Sequence, residues 1–270
     1  MVLGGRAWRF ELFPFVTPEL HDPDLLRMLN QGMIPSHYLS ENPARSLSGY
    51  VRDYLKEEVF DEGLSRNIPA FSRFFDAMGY SHGELTNYAN IARECGVDAK
   101  TVKEYYQILC DTLLGRFVEP YKKRQERQVI LKAPKLYLFD VGVAGCLTHR
   151  SIVEERGEQF GRAFEHFIIF MELSAHASYT GLEYDIRFWR TKSGQEVDFI
   201  LGPGRVAIET KGTSMVDDRE LRGLQTFAAE HHPRMAVCVC NERQERRVGG
   251  IRILPWRAFL AELWSGGIIS

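Results

Sequence analysis

Asp198, Glu209 and Lys211 carry the most chemical content in this sequence. They lie in two alternating segments, Glu196-Val-Asp-Phe-Ile-Leu201 and Arg205-Val-Ala-Ile-Glu-Thr-Lys211, separated by Gly202-Pro-Gly204. Such alternation predicts two strands, and the Gly-Pro-Gly segment predicts a tight hairpin between them. Glu209 and Lys211 are two apart on one strand, so they leave the same face. The hairpin can place Asp198 beside Glu209. Two carboxylates in one small site repel each other unless a cation lies between them. A hard ion such as Mg²⁺ or Mn²⁺ takes these oxygens and keeps several waters. It would polarise a phosphodiester and help ionise an attacking water, while the lysine orients that water or stabilises developing charge. Asp198 and Glu209 are therefore the candidate metal ligands and Lys211 the catalytic cation. The bare spacing is unspecific, and the alternative is a half-exposed hairpin whose Glu209 and Lys211 form a surface ion pair. The context favours the site, because charges on strands otherwise filled by Val, Ile and Phe need a reason.

Several elements must position these residues. Glu158 to Ala177 predicts a long helix, with Phe160, Phe164, Phe167, Ile168, Met171 and Leu173 facing inward and Glu165 within it. Tyr184 to Trp189 predicts a strand before the hairpin. A helix over about Asp217 to Glu230 and a strand from Met235 to Cys240 follow it. From about residue 157 the pattern is thus α/β.

The preceding region reads differently. Residues 19–80 read as helices, including Leu47–Phe60 and about Ile68–Met78, whose Phe71, Phe74 and Phe75 form an aromatic stripe expected to be core. Glu84–Cys95 predicts an amphipathic helix stopped by Gly96, and Asp98 an N-cap for a helix from Ala99 to Leu114. Two helices about a Gly-containing turn match a helix-turn-helix, with Lys100, Thr101 and Lys103 near the start of the candidate recognition helix. A hairpin is expected next, built from Phe117–Tyr121, Val129–Leu131 and Leu136–Phe139. Its turn carries Lys122, Lys123, Arg124 and Arg127, and Arg116 to Lys135 holds seven Lys/Arg against two Glu. A basic wing beside a recognition helix is the geometry that reaches DNA phosphates. The alternative is a solvated hairpin that serves as a protein joint. Ahead of all this, Ala7–Phe13 predicts a short strand whose exposed edge invites self-association or a protein partner.

Composition narrows the class. The chain has 270 residues, 44% hydrophobic and 26% charged, with a formal net charge of −2. Any nucleic-acid contact must therefore come from a local patch rather than from bulk charge. No apolar run is long enough to span a membrane, and Met1–Arg6 lacks the apolar core of a signal peptide. Five scattered cysteines, with Cys238 and Cys240 on an expected buried strand, read as small core residues of a cytoplasmic protein.

These residues resemble a known family. Gly161-Arg-Ala-Phe-Glu-His-Phe167, Phe188 to Leu201 and Ala207-Ile-Glu-Thr-Lys-Gly212 resemble the C-terminal domain of a prokaryotic group of AAA-type ATP-binding proteins. That domain has no assigned function and is related to the restriction-endonuclease-like, or PD-(D/E)XK, nucleases. Ile91–Val97, Thr101–Lys103, Ile108–Gly115 and Lys135–Gly142 resemble the winged helix of the same group, and Gly5–Phe15 the last strand of its ATPase core. The resemblance implies an α+β chain: a remnant strand of the ATPase core over 1–18, a helical lid-like segment over 19–80, a winged helix over 81–150, and a restriction-endonuclease-like domain with a mixed central sheet over 151–270. It adds Glu165 to Asp198, Glu209 and Lys211 as the nuclease-like set, and suggests Gln225 as an auxiliary residue. Thr210 stands where an apolar residue is usual and is expected to face away from the site. ATP is the family's ligand, but no G-x-x-x-x-G-K-[ST] segment occurs here. ATP turnover is therefore not expected of this chain alone, nor is a further bound cofactor.

Overall fold

The computed structural model describes residues 11–54, 67–122 and 133–270. Helices α1 (Leu25–Gln31), α2 (Pro35–Tyr38), α3 (Pro43–Gly49), α4 (Ile68–Ser81), α5 (Tyr88–Cys95) and α6 (Ala99–Asp111) come first. Their starts are written in the sequence. Asp24, Asn42, Asn67, Asn87 and Asp98 each accept the backbone N–H three residues on, at 2.8–3.2 Å, which satisfies a donor the helix leaves open. Gly96 ends α5 at φ +69°, a left-handed conformation that costs glycine little. Phe71, Phe74 and Phe75 are buried with Tyr105 and Tyr106, so the aromatic stripe is core.

The chain then forms β1 (Gly115–Pro120), β2 (Lys135–Leu138) and α7 (Val141–Leu147), the last capped by Asp140. Next comes one continuous helical rod: α8 (Glu158–His166), a π-helical stretch (Phe167–Ser174) and α9 (Ala175–Tyr179). The remaining elements are β3 (Ile186–Arg190), β4 (Glu196–Leu201), β5 (Val206–Lys211), α10 (Arg222–His231), β6 (Met235–Cys240), β7 (Arg246–Val248), β8 (Ile251–Pro255) and α11 (Trp256–Trp264).

Among the described residues all eight strands join one mixed sheet, in the order β2-β1-β3-β4-β5-β6-β8-β7. Strands β3, β4 and β5 form an antiparallel meander, and β6 returns parallel to β5. Strand β1 runs parallel to β3 through Glu119–Arg187 and Pro120–Phe188, so the first half of the chain extends the sheet of the second. Phe160, Phe164 and Phe167 of the rod cover one face with Phe199 and Ile208; Leu224 and Phe227 of α10 cover the other with Val197 and Ala207. The expectation was an α+β chain with a mixed central sheet over 151–270; the chain adopts a mixed α/β architecture in which one mixed sheet also takes in β1 and β2.

Some details differ. The expected strand Ala7–Phe13 lies mostly outside the described residues, and its last part, Glu11–Phe13, is not in a strand. Helix α5 starts at Tyr88 rather than Glu84, because Leu85 forms an isolated bridge with Lys135 and holds that stretch extended. Val129–Leu131 of the expected hairpin, and Leu55–Phe60 of the expected helix, lie outside the described residues. Among the described residues no helix is long and apolar enough to cross a membrane. Cys238 and Cys240 are buried free thiols on β6.

Candidate functional site

Strand β4 carries the decisive local feature. Arg187 of β3 pairs with Ile200, whereas Trp189 pairs with Val197, so β4 has two residues, Asp198 and Phe199, opposite the single Phe188. A bulge of this kind re-aims a side chain. Asp198 is 7% exposed, and its Oδ2 accepts from the Thr210 backbone N–H at 2.7 Å and the Thr210 hydroxyl at 2.8 Å. This corrects the expectation for Thr210: it faces Asp198 and fixes its carboxylate.

Asp198 opens into a cleft of about 180 Å³, lined also by His82, Lys135, Tyr137, Arg162, Glu165 and Glu196. Glu165 reaches it because α8 packs closely on the end of β5. A Cβ at Gly212 would stand 2.8 Å from the Phe160 ring and 3.0 Å from the Gly161 Cα, so glycine permits that approach. The Tyr137 hydroxyl donates to Glu165 Oε1. Burial pushes the Glu165 carboxyl up to about 7, with Lys135 opposing and Asp198 adding to the shift.

Lys135, at the start of β2, is 5% exposed. Its Nζ lies 2.6 Å from Glu196 Oε1 and 3.7 Å from Glu165 Oε1, and 5.5 Å from the centre of the Phe188 ring. Burial acts to lower its pKa, yet Glu165, Glu196 and Asp198 together hold it above the usual lysine range. Arg190 holds the other Glu196 oxygen at 3.0 Å.

Glu209 and Lys211 lie one strand over, outside the lining of this cleft. Glu209 follows Ile208, the partner of Phe199, and is near enough to Asp198 for the two carboxylates to act on each other. Val206 and Ile208 pack in the α8 layer and Ala207 in the α10 layer, and Glu209 and Lys211 stand at the end of β5 beyond them. Lys211 Nζ donates to Glu209 Oε1 at 2.5 Å. Glu209 is 5% exposed and its Oε2 has no hydrogen-bond partner. Burial, with Asp198 adding, raises the Glu209 carboxyl well above the usual range. For Lys211, burial lowers the pKa, but Glu209 and Asp198 prevail and hold it high.

The four expected residues are thus divided. Glu165 and Asp198 meet in the cleft, and the Glu209–Lys211 pair stands beside Asp198 on the neighbouring strand. Among the described residues no three His, Cys, Asp or Glu side chains form a ready group of metal ligands. The two-carboxylate set suits a hard cation that completes its shell with water. The partnerless Glu209 Oε2 beside Asp198 is the kind of atom such a cation would satisfy.

Three contributors escaped the sequence reading. Glu196 shares the two-residue period that paired Glu209 with Lys211, so alternation could have flagged it. Lys135 and Tyr137 stand two apart in Lys-Leu-Tyr-Leu, where a lysine in an apolar run was the available signal. Gln225 lies elsewhere, in a cleft with His232 and Arg234. Of the expected DNA contacts, Lys100 is 87% exposed and 3.9 Å from Glu104, and Lys103 lies over the Tyr88 ring. Thr101 is half-buried at the start of α6 and Lys122 is exposed just past β1. Lys123, Arg124 and Arg127 lie outside the described residues.

Residues 22–152 match a family described as Domain of unknown function (DUF8612), and residues 160–259 one described as Domain of unknown function (DUF4143). The second is a domain found in AAA-ATPase-associated proteins. The chain is 26% identical over 209 residues to the Uncharacterized protein Rv2008c of Mycobacterium tuberculosis, and equally to the Uncharacterized protein Mb2031c of Mycobacterium bovis. These alignments cover 73% of this chain and 44% of each relative, so the chain spans less than half the length of the curated relatives it matches. No solved structure matches.

Proposed function

We propose that this chain is the C-terminal part of an AAA-type ATP-binding protein, with a winged helix at 81–150 and a restriction-endonuclease-like domain at 151–270 that hydrolyses DNA phosphodiesters with Mg²⁺ or Mn²⁺. The observation that carries this reading is the partnerless, buried Glu209 Oε2 next to Asp198, with Lys211 bound to the other oxygen of the same carboxylate. The element order supports it too: a helix bearing Glu165, a hairpin with Asp198, a strand ending Glu-x-Lys, then a helix.

Asp198 and Glu209 would hold the cation, which when bound would supply Lewis acidity at the scissile phosphate. Thr210 fixes Asp198 in rotation through two hydrogen bonds. Lys211 stays protonated and offers a fixed positive charge for the phosphate. Glu165, poised near neutral pH and bound by Tyr137, can take or give a proton at its carboxylate. Lys100, Thr101, Lys103, Lys122, Lys123, Arg124 and Arg127 would supply phosphate contacts on the duplex.

The test is nicking of supercoiled plasmid with Mn²⁺ or Mg²⁺, comparing the wild type with Asp198→Ala and Lys211→Ala. Metal-dependent nicking lost in both variants is the expected result. Equal nicking in all three removes the nuclease reading. A second reading, a non-catalytic DNA- or protein-binding regulatory module, has one observation in its favour: Lys135 already neutralises much of the cleft's charge.

A further inference from the structure

Lys135 comes from a different part of the chain than the acids it meets. It belongs to the segment matching the first family, residues 22–152, whereas Glu165, Glu196 and Asp198 belong to the second, residues 160–259. Glu84, Glu165, Glu196 and Asp198 line the cleft, and Glu209 stands on the next strand. Taking a lysine out of water is costly unless its partners repay it. Here two carboxylate oxygens lie at 2.6 and 3.7 Å, and the ammonium also lies over the Phe188 ring. The strand that delivers it is held firmly. Lys135 pairs with Val118 in β1 and bridges Leu85, and Tyr137, two residues on, donates to the same Glu165 oxygen.

We infer that Lys135 is the resident counter-cation of the acidic cleft, and that a divalent cation binds beside Asp198 only in competition with its ammonium. The inference rests on the reading of Asp198 and Glu209 as cation ligands. A divalent ion entering the cleft meets a fixed positive charge that already acts on Asp198, in surroundings where water screens poorly. Either the ammonium swings off Glu165 and Glu196, or the ion binds weakly. The segment carrying β2 thereby sets how strongly the neighbouring domain holds metal.

Two measurements test this on the full chain. In calorimetric titration with MnCl₂, Lys135→Met is expected to bind at least about tenfold tighter than wild type, a small share of what removing one nearby charge is worth. Adding Asp198→Asn should cancel the gain. If wild type binds Mn²⁺ and the folded Lys135→Met variant binds no tighter, the competition is overturned while the metal reading stands. If neither binds, both fail. Should Lys135→Met not fold, amine acylation of the wild type, read by mass spectrometry, decides instead. Labelling of Lys135 is expected to rise several-fold when Mn²⁺ is added; unchanged labelling under conditions where Mn²⁺ binds overturns the inference.

Discussion

Two kinds of buried acid occur in this molecule, and they differ in how they are satisfied. Asp140 and Glu172 are fully buried. Asp140 accepts from the Met33 N–H at 2.7 Å and the Val143 N–H at 2.9 Å, tying α1's exit to the cap of α7. Glu172 accepts from the Thr17 N–H at 2.8 Å and the Trp264 indole at 2.7 Å, and also from the Thr17 hydroxyl. Each has neutral donors and a plain architectural task. The cleft acids instead crowd one another, need Lys135, Lys211 and Arg190 for balance, and leave Glu209 Oε2 without a partner. Burial alone does not separate structure from function; unmet charge does.

The largest test of this contrast is chemical. Lys211→Ala is expected to lower metal-dependent nicking about 10²–10³-fold, the scale of losing one fixed charge-stabilising group. Glu172→Gln should leave the rate of the folded chain unchanged. Equal losses would erase the distinction.

The next is thermodynamic. Asp140→Ala should cost about 3 kcal/mol in denaturant unfolding, because it removes a helix cap and leaves two buried N–H groups unpaired. Glu209→Gln, without added metal, should cost less than that, because it relieves the repulsion with Asp198 while leaving Lys211 an amide oxygen to bind. A loss at Glu209 comparable to that at Asp140 would place both acids in one class.

A smaller effect comes from pH. Burial first, against its backbone hydrogen bonds, raises Asp140 to about 6, and Glu165 is raised to about 7. A carboxyl raised on folding holds its proton more tightly in the native state, so its contribution is fully present below the unfolded value near 4. It is lost as pH rises through the folded value. Asp140→Asn should therefore flatten the melting-temperature profile between about pH 4 and 6, and Glu165→Gln between about 4 and 7. Profiles identical to wild type would refute the shifts.

The smallest concerns the helical half. Neutralising Lys100, Lys103 or Lys122 should weaken DNA binding evenly across sequences and reduce the salt slope by about one each. Fluorescence anisotropy at several salt concentrations measures it, and an unchanged slope would assign those lysines to solvent alone.

Local chemistry was legible in the sequence wherever it sufficed. Strand β4 has the bounds that alternation indicated, the rod from Glu158 carries the inward residues its period required, and Asp98 caps α6. Features that depend on distant partners were not legible. The bulge at Asp198 exists only against β3, so no local pattern in β4 shows it. Lys135 is buried only because another part of the chain supplies its acids. Strand β7 leaves no mark in the sequence, since the short Arg246–Val248 run is a strand only by pairing with Ile251–Ile253.

The parallel seam between β1 and β3 has a mechanical consequence. Glu119 and Pro120 pair with Arg187 and Phe188, and the Tyr121 N–H donates to the Phe188 carbonyl at 2.6 Å. Strands joined side by side in parallel resist a pull along their length, because several bonds must yield together rather than one after another. Tension applied through the first half would therefore load the meander bearing Asp198 before the seam opens. The two halves should then share a single melting transition.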